Sequence, residues 1–455
     1  MYKFSSAASI DVFRMFIAIA AYMGRTVYEA DYSTAYLNAP VDSVIYIEQP
    51  QGFEEWGPNG EKMVWLLKRA IYGLPHSGRL WQQHHTKALL NHGFEKCMVE
   101  ETLFRKCEGG ETVYLLVNVD NLYTTSTSED LRLRSIEELQ GLFELNDLGP
   151  VEYTLGIRVT QDTRTRTTTI DQEQYIKAAV SKFLPDGYPG TQKRTIPCNS
   201  DIMDLTALPS DHPEVKTWHK PCLRLGGTLQ WVATVARIDI AFALNMCMRC
   251  VNGASEELYT KMLSILIYLD LTASRKLIYG RNANQSVIQH LIDHSPAVRF
   301  DCFKTDDIIT FVDTSGGPYP TQCAILIFHG AYVCAKVSKL ESTTLSVCEA
   351  EWFGATTGAT LLLSLEPLLE FLGTEVSKPM MIFCDNKAAC MLSNSNHTTK
   401  RMKHVAVRLA FLQEHVNEGR VQLVHISTNG NVADLGTKPL SARQHHSLCS
   451  LLWTN

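Results

Sequence analysis

Four acidic side chains in the last third of the chain stand where carboxylates from different elements could converge. Asp313 and Asp385 each follow a short apolar run that predicts a strand. Glu351 falls early in a predicted long helix, and Asp434 falls near the start of a predicted terminal helix. Two-metal phosphodiester chemistry needs several carboxylates that hold two magnesium ions roughly 3.5 to 4 Å apart. A single Asp at a strand end is more often a turn former, but four acids in this order favour a metal centre.

Local patterns predict the elements that would position these acids. The two-residue turn His329-Gly330 is typical of a hairpin and joins two of the strands. The order of elements is that of a β-β-β-α-β-α unit with a central sheet and flanking helices. The predicted strands are residues 308–312, 324–328, 331–337, 381–383 and 421–426. One predicted helix begins near Ser346, and a second covers residues 403–418.

A second place from which a carboxylate could project is a hairpin tip at Asp120-Asn121. The strands on either side are predicted at residues 113–119 and 122–125, and another predicted strand, 26–30, runs into Asp31. The remaining predicted elements of this part are a strand at 102–107, which pairs with 113–119 across Glu108-Gly109-Gly110-Glu111, and helices at 77–93 and 128–143.

Pattern and composition divide the chain into three predicted domains, residues 1–162, 163–297 and 298–455. The first alternates short strands with amphipathic helices, the second is mostly helical, and the third alternates strands and helices again, as a second α/β unit should. Within the second, residues 185–221 contain Pro and Asp in a loop-like stretch that we interpret as a linker.

The net charge of −6 is unusual for a protein that handles nucleic acid, because phosphate contacts require a local excess of Lys and Arg. Acids that face metal ions contribute to this sum, however, and a basic stripe can still follow a phosphate backbone. A solvated helix face is an equally good interpretation of such a run. The candidate stripe consists of Lys400, Arg401, Lys403 and Arg408.

The thirteen scattered cysteines predict reduced thiols and an intracellular location, cytoplasmic or nuclear. Cys247 and Cys250 form the one close pair, and they have no second pair or His at zinc spacing. We therefore interpret both as small core residues on a helix. The longest apolar stretches, residues 12–21 and 361–372, contain charged side chains or charged flanks, so neither is expected to span a bilayer. The first six residues do not resemble a signal peptide.

The region from Phe311 to Lys438 contains five motifs in the order FVDTSGG, SVCEAEWFGA, IFCDNKAACML, KRMKHVAVRLAFLQE and VADLGTK. Through these motifs the region resembles the ribonuclease H domain of copia-type retrotransposons. The resemblance implies that the metal ligands, and hence the catalytic residues, are the four acids named above. Glu349 competes with Glu351 on the same helix, but the family's acid precedes an aromatic residue, as Glu351 does. Glu349 is then an outer or solvated residue.

The upstream part contains, in this order, the blocks VYEADYSTAYLNAPVDSVIYIEQPQGF, LLKRAIYGLPHSGRLW, NVDNLY, NDLGPVEYTLGI and PCLRLGGTLQWVATVARIDIAFAL. These resemble, in the right order, successive blocks of copia-type reverse transcriptases. The resemblance implies that Asp31 and Asp120 are catalytic metal ligands, and that Tyr36 binds substrate as the gate against a ribose 2′-hydroxyl. Taken alone, Tyr36 could equally be a core aromatic beside a strand.

Three departures from the family pattern predict an impaired polymerase. The second acid of the family's Tyr-Val-Asp-Asp motif is Asn121 here, and an amide brings no charge to offset two divalent cations. Asn118 replaces the aromatic residue of the same motif. The resemblance also begins inside the family's reverse transcriptase, so we expect its fingers segment to lie upstream of residue 1. An apolar face of the palm would then be uncovered, and we expect residues 1–162 to be the less stable part.

These observations predict a mixed α/β chain. Its parts would be an incomplete reverse transcriptase palm, a helical thumb or connection region and a ribonuclease H-like domain, as in an LTR retrotransposon (Pseudoviridae-like) Pol polyprotein. The implied function is RNA-directed DNA polymerase and ribonuclease H, with magnesium, two ions per site, or manganese as cofactor. The implied partners are an RNA template, a DNA primer, an RNA/DNA hybrid and deoxynucleoside triphosphates, and no membrane. A second hypothesis is an inactive retroelement relic that at most binds nucleic acid.

Overall fold

The computed structural model describes residues 8–188, 194–280, 285–295, 308–316, 320–340, 347–394 and 406–454. The chain forms two compact units. One contains the residues up to Phe13 and Arg25–Val151, and the other contains Arg14–Gly24 and Glu152–Asn455. These two units are defined by the contacts within each of them. The division into three domains, with boundaries at residues 162 and 297, stays a prediction.

The first unit is built on a six-stranded antiparallel sheet with the strand order β4-β5-β6-β7-β1-β8. Two helices pack on one face, where Tyr32, Trp81 and Leu122 share a buried core. A separate hairpin of β2 and β3 completes the unit. The bounds are β1 (Tyr28–Tyr32), β2 (Tyr46–Glu48), β3 (Val64–Leu66), α2 (Ser77–Asn91), β4 (Glu95–Lys96), β5 (Leu103–Glu108), β6 (Glu111–Asn118), β7 (Asn121–Ser126), α3 (Glu129–Gln140) and β8 (Leu145–Pro150). The predicted strands and helices of this part are therefore present, with ends shifted by a few residues.

The helix α1 (Ile10–Met23) contains the first apolar stretch, and from Arg14 onward it belongs to the second unit. Arg14 is fully buried, and its guanidinium donates to the carbonyl oxygens of Val333 at 2.6 Å and Thr234 at 2.5 Å. The charge within this apolar helix is thus satisfied by backbone acceptors. Across the described ranges, no helix combines the length and the apolar character needed to cross a bilayer.

The second unit begins with a four-stranded antiparallel sheet, order β12-β11-β10-β9, and a group of helices with a shared apolar core. Cys247 and Cys250 are both buried, as predicted; Cys247 lies on α6, whereas Cys250 directly follows the end of this helix. The bounds are β9 (Tyr153–Thr154), β10 (Ile157–Asp162), β11 (Thr167–Asp171), α4 (Glu173–Phe183), α5 (Pro213–Val235), α6 (Ala241–Arg249), α7 (Glu256–Leu271), β12 (Leu277–Gly280) and α8 (Gln285–His294).

The linker predicted at residues 185–221 is wrong over its last part. α5 begins at Pro213 and continues through Pro221, which lies inside the helix. Pro213 occupies the first turn, where a missing N–H costs nothing. The apolar side chains of Leu225 and Leu229 are fully buried on one face of α5. Burial of that face outweighs the local cost of an internal proline.

The rest of the second unit is a five-stranded mixed sheet with the order β15-β14-β13-β16-β17. β13, β16 and β17 are mutually parallel, whereas β14 and β15 are antiparallel to their neighbours. The predicted turn at His329-Gly330 has positive φ at both residues, 49° and 78°, as a type I′ hairpin requires. The bounds are β13 (Ile308–Ser315), β14 (Thr321–Phe328), β15 (Ala331–Lys339), α9 (Val347–Phe371), β16 (Met380–Cys384), α10 (Lys387–Ser393), α11 (Ala406–Asn417), β17 (Val421–His425) and α12 (Ala442–Leu452).

The predicted helix starts near Ser346 and at Lys403 lie outside the described residues. The prediction that Asp434 lies near the start of a terminal helix is wrong: Asp434 lies in a short 3-10 turn, Val432–Gly436, and α12 starts only at Ala442. Pro439 separates the two because it disfavours helical backbone at the preceding residue.

Candidate active sites

The acids of the second unit meet at one edge of the mixed sheet. β13 and β16 are parallel neighbours, and the register that pairs Val312 with Cys384 brings Asp313 and Asp385 to the same sheet edge. Asp434 reaches this edge from the 3-10 turn. Carboxylate oxygens of Asp313, Asp385 and Asp434 all lie within 4.8 Å of one another. Three of the four predicted acids therefore converge directly.

Glu351 joins this group from α9, through Asp385. Potential ligand atoms of Glu351, Cys384 and Asp385 lie within 4.8 Å of one another. The Cys384 thiol donates to Glu351 Oε2 at 3.7 Å. Asp385 is thus common to both groups, and the four acids predicted from sequence form one continuous cluster.

Glu349, the competing acid on α9, is not among the groups of possible metal ligands found in the described residues. Its side chain is only 4% exposed. The alternative that Glu349 is solvated is therefore wrong, because the side chain lies in the protein interior.

Two glycines of α9 allow the helix to approach β13 closely enough to bring Glu351 to the acids. A Cβ at Gly354 would stand 2.6 Å from the Thr314 hydroxyl oxygen, and a Cβ at Gly358 would stand 2.6 Å from a methyl carbon of Val312. These glycines are one helical turn apart and share a face. The helix α9 thus supplies both the acid Glu351 and the glycines whose missing side chains allow it to lie close to β13.

Asn431 connects Asp434 to the strand that carries Asp313. Its Nδ2 donates to the carbonyl oxygen of Val312 at 2.9 Å, and its Oδ1 accepts from the Ala433 N–H at 3.2 Å. The side chain is fully buried with both polar ends bonded. Asn431 therefore fixes the turn that presents Asp434 beside Asp313.

Burial and mutual repulsion make ionisation of these acids unfavourable. Burial, reinforced by the charges of Asp313 and Asp385, raises the pKa of Glu351 to about 9. Burial and the charge of Asp313 raise the pKa of Asp434 to about 7. Asp313 is 1% exposed, and burial raises its pKa as well. Additional positive charge is therefore needed for all of them to ionise near neutrality.

Part of that charge comes from Lys438, which sequence analysis quoted within a motif but did not single out. Its Nζ lies 3.1 Å from Asp313 Oδ1 and 2.8 Å from Asp434 Oδ1. Although burial lowers the pKa of Lys438, the two carboxylates raise it overall, so the amine stays charged. Thr437 donates from its hydroxyl to the other oxygen of Asp313. The signal in the sequence was the spacing of four between Asp434 and Lys438 within one motif.

The chemistry of this donor set fits magnesium or manganese. The converging groups are carboxylate oxygens, which are the ligands that these hard cations prefer. A cationic ammonium already bridges Asp313 and Asp434, which shows that the cluster accommodates positive charge at this position. The raised pKa values of Glu351 and Asp434 indicate that one such charge does not neutralise the cluster.

The predicted acids of the first unit lie on neighbouring parts of the sheet, Asp31 on β1 and Asp120 at the tip of the hairpin between β6 and β7. Asp31 on β1 pairs across the sheet with Asn121 on β7, and the Tyr32 N–H donates to the carbonyl oxygen of Asp120 at 2.8 Å. Burial and the charge of Asp31 raise the pKa of Asp120, partly offset by a hydrogen bond from Tyr72. Both carboxyl groups are only half-buried. Among the described residues, neither belongs to a group of three or more potential metal ligands.

The hairpin tip that carries Asp120 is held in an unusual conformation. Val119 has a φ of 58°, which is rare for a β-branched residue. The indole Nε1 of Trp81 donates to the carbonyl oxygen of Val119 at 3.0 Å and supports this conformation. The Asn121 amide donates to the Tyr123 hydroxyl at 3.4 Å.

Tyr36 is placed beside this tip by a second tyrosine that sequence analysis missed. The rings of Tyr36 and Tyr72 lie 4.5 Å apart, and the Tyr72 hydroxyl donates to both Asp120 carboxylate oxygens at 3.1 and 3.2 Å. Burial, reinforced by Asp120, raises the pKa of Tyr72 to about 12. Tyr36 is half-buried, so it is not a fully buried core aromatic. Tyr72 lies within one of the quoted blocks, but nothing local marked it as a partner of Asp120.

Most of the proposed basic stripe cannot be compared with the fold. Lys400, Arg401 and Lys403 lie outside the described residues. Arg408 is exposed on α11, and its guanidinium stacks 4.1 Å from the ring centre of Phe353. This contact is intramolecular packing of a solvated helix face.

Comparison with protein families and with known proteins agrees with the sequence motifs. Residues 2–197 match the family described as reverse transcriptase (RNA-dependent DNA polymerase). The Pol polyprotein from transposon TNT 1-94 of Nicotiana tabacum is 27% identical over 459 residues, 99% of this chain and 32% of the relative. The Pol polyprotein from transposon RE1 of Arabidopsis thaliana is 25% identical over 98% of this chain and 29% of the relative. The chain therefore spans about a third of the length of these relatives.

Two solved structures share a partial likeness. The N-terminal RNase H domain of a Mycobacterium tuberculosis protein, solved as a fusion with maltose-binding protein, is 12% identical, with a TM-score of 0.23. It covers 32% of this chain and 96% of that chain. LC11-RNase H1 in complex with RNA/DNA hybrid is 16% identical, with a TM-score of 0.21, over 28% of this chain and 88% of that chain.

A putative transposon Ty5-1 protein of Saccharomyces cerevisiae is covered by this chain over most of its length. It is 30% identical over 266 residues, which are 58% of this chain and 82% of the yeast protein. The Pol polyproteins of the two plant transposons match along nearly the whole chain, and the quoted blocks occur in family order. This protein therefore belongs to the copia-type retrotransposon Pol polyproteins.

Proposed function

We propose that the second unit is a ribonuclease H that hydrolyses the RNA strand of an RNA/DNA hybrid. The observation that carries this proposal is the convergence of Asp313, Glu351, Asp385 and Asp434 at one sheet edge from three different kinds of element. The motifs around these acids resemble the same region of the family. Recognition of the hybrid would rest on contacts with 2′-hydroxyl and phosphate groups.

Each residue of the cluster has a role in this proposal. The four carboxylates would hold the metal ions, and their rigid strand, helix and turn positions fix the geometry of the site. Magnesium or manganese ions, two per site, would supply charge stabilisation to the attacking and leaving oxygens. Burial of Asp313 and Asp434 excludes water and strengthens the interaction of these carboxylates with a cation. Lys438 offsets part of the negative charge.

We further propose that the first unit is the palm of a reverse transcriptase with impaired polymerase activity. Asp31 and Asp120 would hold magnesium, with an RNA template, a DNA primer and deoxynucleoside triphosphates as substrates. Tyr36 would act as the gate against a ribose 2′-hydroxyl, supported by its contact with Tyr72. Residues 163–297 would then correspond to the thumb or connection region. This chemistry implies an intracellular location, cytoplasmic or nuclear.

A second candidate function is an inactive relic that at most binds nucleic acid. The observation that favours it is Asn121, an amide at the place of a family acid, whose side chain is engaged with Tyr123. The four acids of the second unit speak against it, because their convergence depends on Gly354, Gly358 and Asn431 as well as on the acids themselves.

The test is cleavage of a labelled RNA/DNA hybrid by the full chain with magnesium. We expect the wild-type chain to cleave the RNA strand and the Asp385→Asn variant to lose cleavage. Asp211→Asn, a change at an exposed acid far along the chain from the cluster residues, serves as the matched control and should cleave like the wild type. A folded wild-type chain that leaves the hybrid intact would contradict the proposal and favour the relic.

A further inference from the structure

A buried group of charges in the helical region lies outside the acid cluster. Arg237 makes two hydrogen bonds to the Asp239 carboxylate, at 3.0 and 2.8 Å. The Tyr268 hydroxyl and an Arg275 nitrogen donate to Asp239 Oδ2 at 2.6 and 2.9 Å. Arg237 and Asp239 are each 1% exposed. Although burial raises the pKa of Asp239, the two arginines hold it well below its usual range, so the group is an ionised, fully bonded network.

This group is not a metal site, although potential ligand atoms of Asp239, His445 and Cys449 lie within 4.8 Å of one another. The Asp239 carboxylate already accepts hydrogen bonds from two guanidinium groups and a hydroxyl. A metal ion would have to displace these donors while lying beside two fixed positive charges. The network is therefore a structural group of charges on which other segments pack.

The C-terminal helix α12 packs on this network. His445 Nε2 lies 3.5 Å from the carbonyl oxygen of Asp239, and the His445 ring meets Tyr268 edge to face at 5.7 Å. The Trp453 indole donates to the carbonyl oxygen of Ala236 at 2.8 Å. The backbones of Lys276 and Thr454 exchange two hydrogen bonds, at 2.9 and 3.0 Å. Both ends of the buried helix face are thus attached to residues 236–276.

The same helix reaches the acid cluster. Gln444, the neighbour of His445, donates from Nε2 to Asp434 Oδ2 at 3.4 Å. The other oxygen of Asp434 is taken by Lys438. The turn that carries Asp434 also packs against the 3-10 turn Ile238–Ile240. Asp434 is therefore oriented by α12, and α12 is oriented by the helical region.

We propose that Asp239 and Trp453 are positioning residues for Asp434, acting through α12 and Gln444. The proposal rests on the ribonuclease H function proposed above and deepens it: the acid site is complete only with residues 236–276 in place. It also assigns a role to the ARIDIAFAL part of a block that the catalytic proposal does not use. Neither residue touches a metal or substrate in this scheme, so neither is a catalytic residue.

A double-mutant cycle in the full chain tests the link. The variants are Trp453→Phe, which removes the indole donor but keeps a ring, Gln444→Leu, which removes the Asp434 contact, and the two combined. We measure hybrid cleavage against magnesium concentration, and the magnesium-induced rise in melting temperature without substrate. Each single variant should raise the half-saturating magnesium concentration about 5-fold, the equivalent of one lost hydrogen bond. The double variant should exceed the larger single effect by less than about 2-fold.

Controls separate positioning from general damage. Ser447→Ala, on the exposed side of α12, should leave both magnesium responses unchanged. His445→Gln is an independent test at the contact with the backbone carbonyl oxygen of Asp239. It should raise the half-saturating magnesium concentration as Trp453→Phe does. With two variants, the inference can be tested even if one of them folds poorly. A merely structural role would lower the melting temperature equally with and without magnesium.

The outcomes distinguish this inference from the proposed function. If the wild-type chain cleaves but Trp453→Phe and His445→Gln keep the wild-type magnesium dependence, the inference is wrong and the ribonuclease H function stands. Fully multiplicative effects of Trp453→Phe and Gln444→Leu would also overturn it, because the residues would then act independently. If the wild-type chain neither cleaves nor gains stability with magnesium, the proposed function itself fails.

Discussion

The two acid sites of this protein differ in how far the fold removes their carboxylates from water. In the second unit, Asp313 and Asp434 are almost fully buried and meet Asp385 within 4.8 Å. In the first unit, Asp31 and Asp120 are half-buried, and Asp31 pairs across the two strands with an amide, Asn121. Burial, and not the number of acids alone, therefore determines how strongly a carboxylate site requires cations.

The largest effect expected from this comparison is that of Glu351→Gln on the second unit. Because burial keeps the pKa of Glu351 near 9, an amide resembles the protonated side chain that the metal-free protein holds at neutrality. We therefore expect little change in the melting temperature without metal at pH 7. Hybrid cleavage should fall at least about 100-fold, since even outer partners of metal ligands cost 10- to 100-fold. Thermal melts and cleavage rates of the same preparation measure both.

Glu370→Gln, at an exposed acid near the end of α9, is the control and should change neither quantity. A large loss of metal-free stability in Glu351→Gln would show that the carboxylate is ionised in the apo fold, and the electrostatic difference between the two sites would then be smaller than we infer.

A smaller effect is expected on restoring an acid to the first unit. Asn121→Asp should raise magnesium-dependent primer extension about tenfold, the equivalent of roughly 1.4 kcal/mol, because a charged ligand replaces an amide. Hybrid cleavage should not change. The measurement is primer extension by the full-length wild type and by Asn121→Asp. Asp120→Asn is the control and should lose any extension. If the wild type and Asn121→Asp extend the primer equally, Asn121 is not a cause of the impaired polymerase activity.

The pH dependence of stability should separate the sites without any mutation. Glu351 and Asp434 have folded-state pKa values of about 9 and about 7, raised from ordinary values of 4.5 and 3.8. Between the ordinary and the raised values the folded state binds more protons than the unfolded state, so the free energy of unfolding falls as pH rises. Without metal, the melting temperature of the second unit should therefore fall from about pH 5 to pH 9.

Saturating magnesium should flatten this pH dependence, because metal replaces the bound protons. Calorimetric scans with EDTA or magnesium at several pH values measure the pH dependence. The double variant Glu351→Gln with Asp434→Asn is the control, and its metal-free melting temperature should depend less steeply on pH than that of the wild type; the raised pKa of Asp313 accounts for part of the dependence that is left. A metal-free melting temperature that rises over this range would contradict the assigned pKa directions.

A further effect, on stability, concerns the helix surface that places Glu351. Gly358→Ala should destabilise the second unit by about 1 to 3 kcal/mol, because its Cβ would overlap Val312. The matched control is Gly227→Ala, at an exposed position inside α5 with no atom within 4 Å of its Cβ. This control should stabilise by up to about 1 kcal/mol through helix propensity. Chemical denaturation of both variants measures the difference, and similar values for the two would remove the argument for close packing at Gly358.

Local chemistry in the sequence determined the order of acids and most of the strands and turns. The type I′ turn at His329-Gly330 and the strands that end near Asp313 and Asp385 depend on residues a few positions apart, so they could be predicted. The family followed from the order of the motifs. The convergence of Asp313, Glu351, Asp385 and Asp434 was a correct hypothesis about geometry, whereas their catalytic role stays a prediction.

Only the tertiary structure decided which distant residues share an environment. The helical character of residues 213–221 depends on the burial of one face of α5, which local composition does not report. Tyr72 reaches Asp120 from 48 positions away, and α12 meets Asp239 from 206 positions away. Burial and long-range hydrogen bonding are properties of the packed chain, because neither the dielectric around a carboxylate nor its partners are fixed until distant segments meet.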